Sequence, residues 1–136
     1  MTDQRVYYLM RNDLERTMTP GRLAAQTSHV ADMFNADMTE MSPIGSLGVL
    51  AEAYADWRKP FTGTVIVLGV TGAQMIDICR LASSREDCMC AIWEDPEYGI
   101  KDGSTTHYIT LETGGYLFGV GEAFETWRHG WNLDLY

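Results

Sequence analysis

Apolar residues in this chain fall into two kinds of pattern, short continuous runs and stripes at helical spacing. Residues 6–10 form a continuous apolar run that predicts a first strand, followed by a polar loop over residues 12–17. Leu23, Thr27, Val30, Ala31, Phe34 and Met38 then recur at helical spacing. Thr19 suits the N-cap of that helix, and Pro20 its first position, where a missing N–H costs nothing. Residues 39–46, with Pro43 and Gly45, predict a break. Leu47, Leu50, Ala51, Tyr54 and Trp57 give a second helix to about Arg58, with Pro60 just beyond. Residues 64–70 are apolar and β-branched, the pattern of a strand covered on both faces. Thr71 caps a third helix whose stripe is Met75, Ile78, Cys79 and Ala82. Residues 88–93 predict a third strand that runs out into an acidic loop over residues 94–99. A fourth strand covers residues 105–111 and ends at Gly114-Gly115, and residues 121–129 suit a short helix before the closing Leu133-Asp134-Leu135-Tyr136.

The order β-α-α-β-α-β-β-α predicts a three-layer α/β/α domain, with helices on both faces of a mixed four-stranded sheet. A short link makes the last two strands antiparallel. The chain of 136 residues fits one such domain, spanning 1–136, and buries roughly two-thirds of its unfolded surface. In open sheets of this kind the ligand crevice lies beyond the carboxyl ends of the parallel strands. Those ends carry residues 12–22 and 94–99, so two separate stretches point to one place.

Charge narrows the range of partners. Ten Lys and Arg against nineteen Asp and Glu give a net charge of −9. That balance disfavours general affinity for nucleic acid or anionic membranes, which usually leaves a basic footprint. Arg5, Arg11, Arg16 and Arg22 are the dense basic group, around the first strand and the loop after it. Cys79, Cys88 and Cys90 form no zinc pattern, and their odd number argues against a disulfide framework. They read as buried thiols of a reducing compartment. With no apolar leader and no run of membrane length, the expectation is a cytoplasmic protein that makes no membrane contact. Three histidines without acidic or cysteine partners at ligand spacing predict no metal site.

The first helix carries the clearest chemistry. Arg22, Gln26 and His29 sit at i, i+4 and i+7 and share a face distinct from the apolar stripe. The plain reading of such a face is a solvated polar surface. A cation in the first helical turn opposes the helix dipole, however, so Arg22 is a costly placement without a role. The unpaired N–H groups of that turn suit an anion or a developing oxyanion.

Arg11-Asn12-Asp13-Leu14, Met18, Gly21-Arg22 and Ala24-Ala25-Gln26-x-Ser28-His29 together resemble the opening motif of the type 2 peptidyl-tRNA hydrolases, the archaeal and eukaryotic kind. The resemblance extends over nearly the whole chain, through Trp57, Gly63, the strand from Val65, Gly103-Ser104-x-Thr106, Gly130 and the closing Leu133-Asp134-Leu135-Tyr136. It departs from the family's pattern at its positive charges. Pro20 stands for the first loop lysine, Glu97 for a tRNA-facing arginine and Asp134 for the terminal lysine. Trp93-Glu94-Asp95-Pro96-Glu97 is similar to a divergent branch with Glu-x-Pro-Glu after an aromatic.

The resemblance implies cleavage of the ester between a peptide and the terminal ribose of tRNA, by water attack without metal or cofactor. It also implies peptidyl-tRNA as partner and a possible homodimer. Arg22 matches the second loop lysine, and Glu94 or Asp95 matches the family's aspartate. On this reading Glu94 or Asp95 orients or deprotonates the water, Arg22 and the first helical turn meet the oxyanion, and His29 is a second candidate base. Gln26 and Thr106 fix the substrate, Asp13 completes the catalytic set, and Arg11, Asn12 and Ser28 join Thr106 in binding. A serine nucleophile is a poor fit, because the only base beside Ser28 is its chain neighbour His29, which points elsewhere on a helix. The rival function is a binding protein that has lost catalysis and holds a nucleotide-like or peptide-like ligand in the same cavity. Trp57, Trp93, Trp127 and Trp131 leave a third reading, an interaction module with aromatic anchors.

Overall fold

Val6, Tyr7, Tyr8, Leu9 and Met10 are each at most 5 % exposed, which requires cover on both faces and both edges of their strand. They form β1 (Arg5–Arg11) in a computed structural model that describes residues 4–14, 18–41, 48–59 and 63–136. The chain continues as α1 (Pro20–Met41), α2 (Gly48–Arg58), β2 (Thr64–Val70), α3 (Gly72–Ala82), β3 (Cys88–Asp102), β4 (Thr105–Gly119) and α4 (Glu122–His129). The sheet order is β2-β1-β4-β3. β2 is parallel to β1, and β4 is antiparallel to both β1 and β3, so β1, β2 and β3 run in one direction. This is the mixed four-stranded α/β sheet expected from the element order.

Alternation along β1 divides the core into two layers. Val6, Tyr8 and Met10 pack with Val30, Phe34 and Met38 of α1 and with Leu50, Ala53 and Tyr54 of α2. Tyr7 and Leu9 face the opposite way, toward Met75, Ile78 and Ala82 of α3 and Phe124 of α4. Phe34 centres the first layer, its ring 5.0–5.5 Å from those of Tyr54, Trp57, Tyr116 and Phe118. Cutting such a residue to alanine costs about 3–5 kcal/mol, and Phe34 seats α1 on the sheet together with Val30 and Met38. The caps follow the sequence. Thr19 Oγ1 accepts from the Arg22 N–H at 3.3 Å, and Thr71 with Gln74 closes a capping box on α3.

Several boundaries differ from the pattern reading. α1 continues through Thr39 and Glu40 to Met41; the rest of the expected break, with Pro43 and Gly45, lies outside the described residues. Residues 15–17 of the first loop (Arg16 among them), Leu47 and Pro60 also lie outside them. β2 is covered on both faces only toward its end, because it is an edge strand; Thr64 and Val65 are exposed and Leu68 and Val70 buried. The closing residues shield that edge. Gly69 N–H donates to Asp134 O at 3.0 Å, Tyr136 N–H donates to Val67 O at 3.1 Å, and Leu68 and Leu135 form an antiparallel bridge.

The larger correction concerns β3 and β4. The expected acidic loop over residues 94–99 is strand, and Gly114-Gly115 lies inside β4 instead of ending it. Pro96 is tolerated because β3 is an edge strand, and the register shifts between Asp95 and Tyr98. The two glycines serve close approach. A Cβ on Gly115 would lie 2.5 Å from Ala91 O, and one on Gly114 would lie 2.6 Å from Met10 Sδ. Turn chemistry and close packing use the same residue, and here packing decides.

The cysteines also depart from expectation. Cys88 is a free, buried thiol, as expected, and burial pushes its pKa up to about 11. Cys79 of α3 and Cys90 of β3 form a disulfide instead of remaining thiols. Three cysteines leave room for one bridge beside an unpaired residue, which an argument from odd number does not exclude. Among the described residues, no helix is long and apolar enough to cross a membrane.

Gly115→Ala should lower stability by about 2–3 kcal/mol, since its Cβ meets a backbone carbonyl on one side and must displace the strand. Gly48→Ala, which has open space around it, should stay within about 0.5 kcal/mol of the wild type. Urea unfolding of the two variants in parallel checks this, and similar midpoints would contradict the packing account.

Candidate functional site

β1 pairs with β4 only as far as Met10 opposite Gly114, and Trp93 lies opposite Gly114 on the other side. Beyond that level β3 and β4 pair with each other alone, so residues 94–112 form a hairpin arm past the carboxyl ends of the parallel strands. The arm reaches α1. Arg22 Nη1 donates to Gly99 O at 2.7 Å, and the guanidinium carbon lies 4.8 Å from the centre of the buried Tyr98 ring. These two contacts offset the unfavourable position of a cation in the first helical turn.

One turn further along α1, Gln26 is 6 % exposed and bonded at both ends. Thr113 Oγ1 donates to Gln26 Oε1 at 2.6 Å, which fixes the orientation of the amide. Gln26 Nε2 then donates to Asp95 Oδ2 at 2.7 Å. The other carboxylate oxygen, Asp95 Oδ1, accepts the Glu97 N–H at 2.9 Å. Thr113 is fully buried, so the chain Thr113–Gln26–Asp95 runs from the core outward to a carboxylate at the arm. One turn on again, the exposed His29 stacks on Trp93 at 5.0 Å and 24°. Arg22, Gln26 and His29 therefore do share a face, and β3 meets all three.

Other expected site residues lie elsewhere. Side chains alternate along β3, so Trp93 and Asp95 face α1 while Glu94 faces α3. Glu94 lines an open cleft of about 240 Å³ with Arg11, Gly72, Met75, Ile76 and Glu112. Arg11 binds Asp13 through two nitrogens, at 2.9 and 3.2 Å, and donates to Glu112 O at 3.2 Å. Asp13 Oδ2 also accepts the Gly72 N–H, at 3.0 Å, at the start of α3. Arg11 and Asp13 thus join the end of β1 to α3. Asn12 donates its backbone N–H to Val70 O at 2.9 Å, and its side chain lies over Gly69. Ser28 is exposed on α1. Thr106 stays near Arg22: a Cβ on Gly99 would be 3.3 Å from Thr106 Cγ2 and 3.5 Å from Arg22 Nη2.

The geometry places Asp95, not Glu94, on the α1 side, bonded to Gln26. It adds Thr113, Trp93 and Tyr98 to the site. Thr113 carries no signal in sequence, since it precedes a Gly-Gly that reads as a strand end. Trp93 was legible only as an aromatic anchor. Chemically, a doubly held carboxylate, a guanidinium with further N–H groups and a capped helix start lie around the arm's base. Among the described residues, no group of three His, Cys, Asp or Glu is placed to hold a metal ion.

Gln26→Ala leaves the Thr113 hydroxyl and Asp95 without their partner and opens a void, for a cost of about 2–4 kcal/mol. Thr113→Val keeps the volume but loses the donor, for about 1–2 kcal/mol. Chemical denaturation measures both, and equal small effects would show that the chain of bonds adds nothing. The Arg11 hydrogen bonds, aided by the Gly72 N–H, hold the Asp13 carboxyl below its usual pKa. A carboxyl lowered by folding stabilises the fold above its unfolded pKa of about 3.9, and this is lost as pH falls through the folded value. Asp13→Asn should therefore flatten the acid side of the stability curve below about pH 4 and cost about 1 kcal/mol at pH 7. Unfolding midpoints from pH 2 to 7 test it.

No protein-family model matches this chain, and a comparison with curated proteins finds no match either.

Proposed function

We propose that the chain hydrolyses the ester joining a peptide to the terminal ribose of tRNA, with the reaction centred between α1 and the base of the β3–β4 arm. The observation that carries this reading is Asp95, a carboxylate oriented by the buried Gln26 amide and set on the same helix face as Arg22. A water bound to Asp95 attacks the ester carbonyl, forming the new C–O bond as its proton passes to the carboxylate. The charge that develops on the carbonyl oxygen is met by the Arg22 guanidinium, while the first α1 turn spends its Arg22 and Leu23 N–H groups on Thr19. Collapse breaks the bond to the ribose oxygen, which takes the proton from Asp95. His29, stacked on Trp93 and exposed, sits where it can contact the substrate but is spaced from Asp95 by a helical turn. Translation places this activity in the cytoplasm.

Three observations favour the rival, a binding protein without turnover. Arg22 already bonds Gly99 and lies against Tyr98, both Asp95 oxygens accept hydrogen bonds, and the arm carries Glu94 and Glu97 in a chain of net charge −9. A phosphate backbone meets little positive charge here. The acidic rim predicts weak tRNA binding with little salt dependence, whereas a tRNA enzyme should lose affinity steeply with added salt.

N-blocked aminoacyl-tRNA is the substrate to assay. Arg22→Ala and Asp95→Asn should each lower kcat/KM by about 100-fold or more. Glu94→Gln, on the α3 side, should stay within about threefold of wild type. Absence of release at any enzyme concentration would leave the binding reading. Equal losses in Glu94→Gln and Asp95→Asn would overturn the assignment of the carboxylate.

A further inference from the structure

We propose that Cys79 and Cys90 are a reversible thiol–disulfide couple that sets how firmly the outer strand β3 holds the α1 face of the candidate site. The bond joins the two layers at a sensitive point. Cys79 sits in the middle of α3, and Cys90 lies near the start of β3, the edge strand of the sheet. β3 is paired on one side only, by β4, so its other attachments come from the helices. Every contact that β3 makes with the Arg22–Gln26–His29 face lies downstream of Cys90: Trp93 on His29, Asp95 with Gln26, and Gly99 with Arg22. Register shifts between Trp93 and Glu94, and between Asp95 and Tyr98, make that stretch the least regular part of the hairpin. A covalent anchor at Cys90 limits how far it can separate from the body of the domain.

The bond is not the sole attachment of α3. Met75, Ile78 and Ala82 seat α3 on Leu9, Leu68, Val70 and Leu117 by burial alone. Cys79 and Cys90 are only partly buried, at the margin of that layer, whereas Cys88 is 5 % exposed within it. A small thiol reagent therefore reaches the bonded pair more readily than Cys88. In the cytoplasm, where the proposed function places the chain, disulfides of this kind are usually transient or sensing. The exchange is balanced with glutathione disulfide as oxidant. One cysteine thiolate attacks it and releases a glutathione thiol; the second attacks the mixed disulfide and releases another. Two protein thiols are oxidised and one glutathione disulfide is reduced. Reduction runs the same steps in reverse. The compartment in this inference rests on the proposed function, whereas the contacts tested below belong to the protein itself.

The test equilibrates the full chain in glutathione buffers of rising reduced-to-oxidised ratio, with rapid alkylation and mass measurement of each cysteine. Backbone hydrogen exchange is followed at both extremes. The expected result is passage of Cys79 and Cys90 together from disulfide to dithiol within the range of glutathione ratios, with Cys88 unchanged. Exchange at residues 93–99 should be about tenfold faster in the reduced form while β1 keeps its protection. The thermal midpoint should fall by roughly 10 °C. The Cys79→Ser/Cys90→Ser double variant should match the reduced wild type at every ratio. A pair that stays oxidised under the most reducing buffer, a pair that never forms the bond, or equal exchange at 93–99 in both states would each overturn the proposal.

Discussion

The candidate site depends on one buried amide. Gln26 sits on α1, yet its oxygen is fixed by Thr113 of the central sheet and its nitrogen by Asp95 of the outer strand. A side chain that is 6 % exposed cannot exchange these partners for water, so both must be present or the amide is stranded. The requirement acts on three elements at once. α1 must lie at the height where Gln26 meets Thr113, and the arm must bend so that Asp95 meets Gln26. Phe34 supplies the burial that presses α1 to the sheet, and Gln26 supplies the position along it.

The bend comes from irregularities in both strands of the arm, with Thr113 the extra residue in β4 and Pro96-Glu97 opposite Thr110 in β3. A register shift after Trp93 and another across Pro96 and Glu97 break a ladder that would otherwise run straight into solvent. Pro96 has no N–H to offer a ladder, and the Glu97 N–H turns to the Asp95 carboxylate. The same oxygen pair thus terminates regular pairing and receives the helix. Neighbouring side chains then separate: Asp95 joins Gln26, and Glu94 lines the cleft with Arg11 at the start of α3. Two adjacent acids serve opposite faces of the sheet.

Much of this was legible in the sequence because burial and periodicity act locally. The stripes of α1 and α3, the run in β1, the Thr71 cap and the order of elements each follow from nearest neighbours along the chain. The face shared by Arg22, Gln26 and His29 was legible for the same reason. What was not legible is set by residues far apart. Gly114-Gly115 carries the signature of a strand end, and only the approach of Met10 and Ala91 from neighbouring strands shows why it is strand interior. Residues 94–99 have the composition of a loop, and their pairing with β4 overrides it. Thr113 became part of the site only through a partner 87 positions away. The Cys79–Cys90 bond likewise needs the packing of α3 on β3 before the spacing means anything.

Arg22 shows how these levels combine. Local electrostatics argues against a cation in the first turn of α1, since the helix start is already positive. The arm reverses that judgement by presenting a carbonyl oxygen at 2.7 Å and the face of Tyr98 to the same guanidinium. Neither partner carries a formal charge, so among the described residues these contacts hold Arg22 without neutralising it. Tyr98 and Gly99 follow directly on the irregular stretch that places Asp95. The cation and the carboxylate of the site are therefore positioned by one segment of edge strand. A displacement of that segment takes Asp95 from Gln26 and releases Arg22 from Gly99 and Tyr98 in one movement.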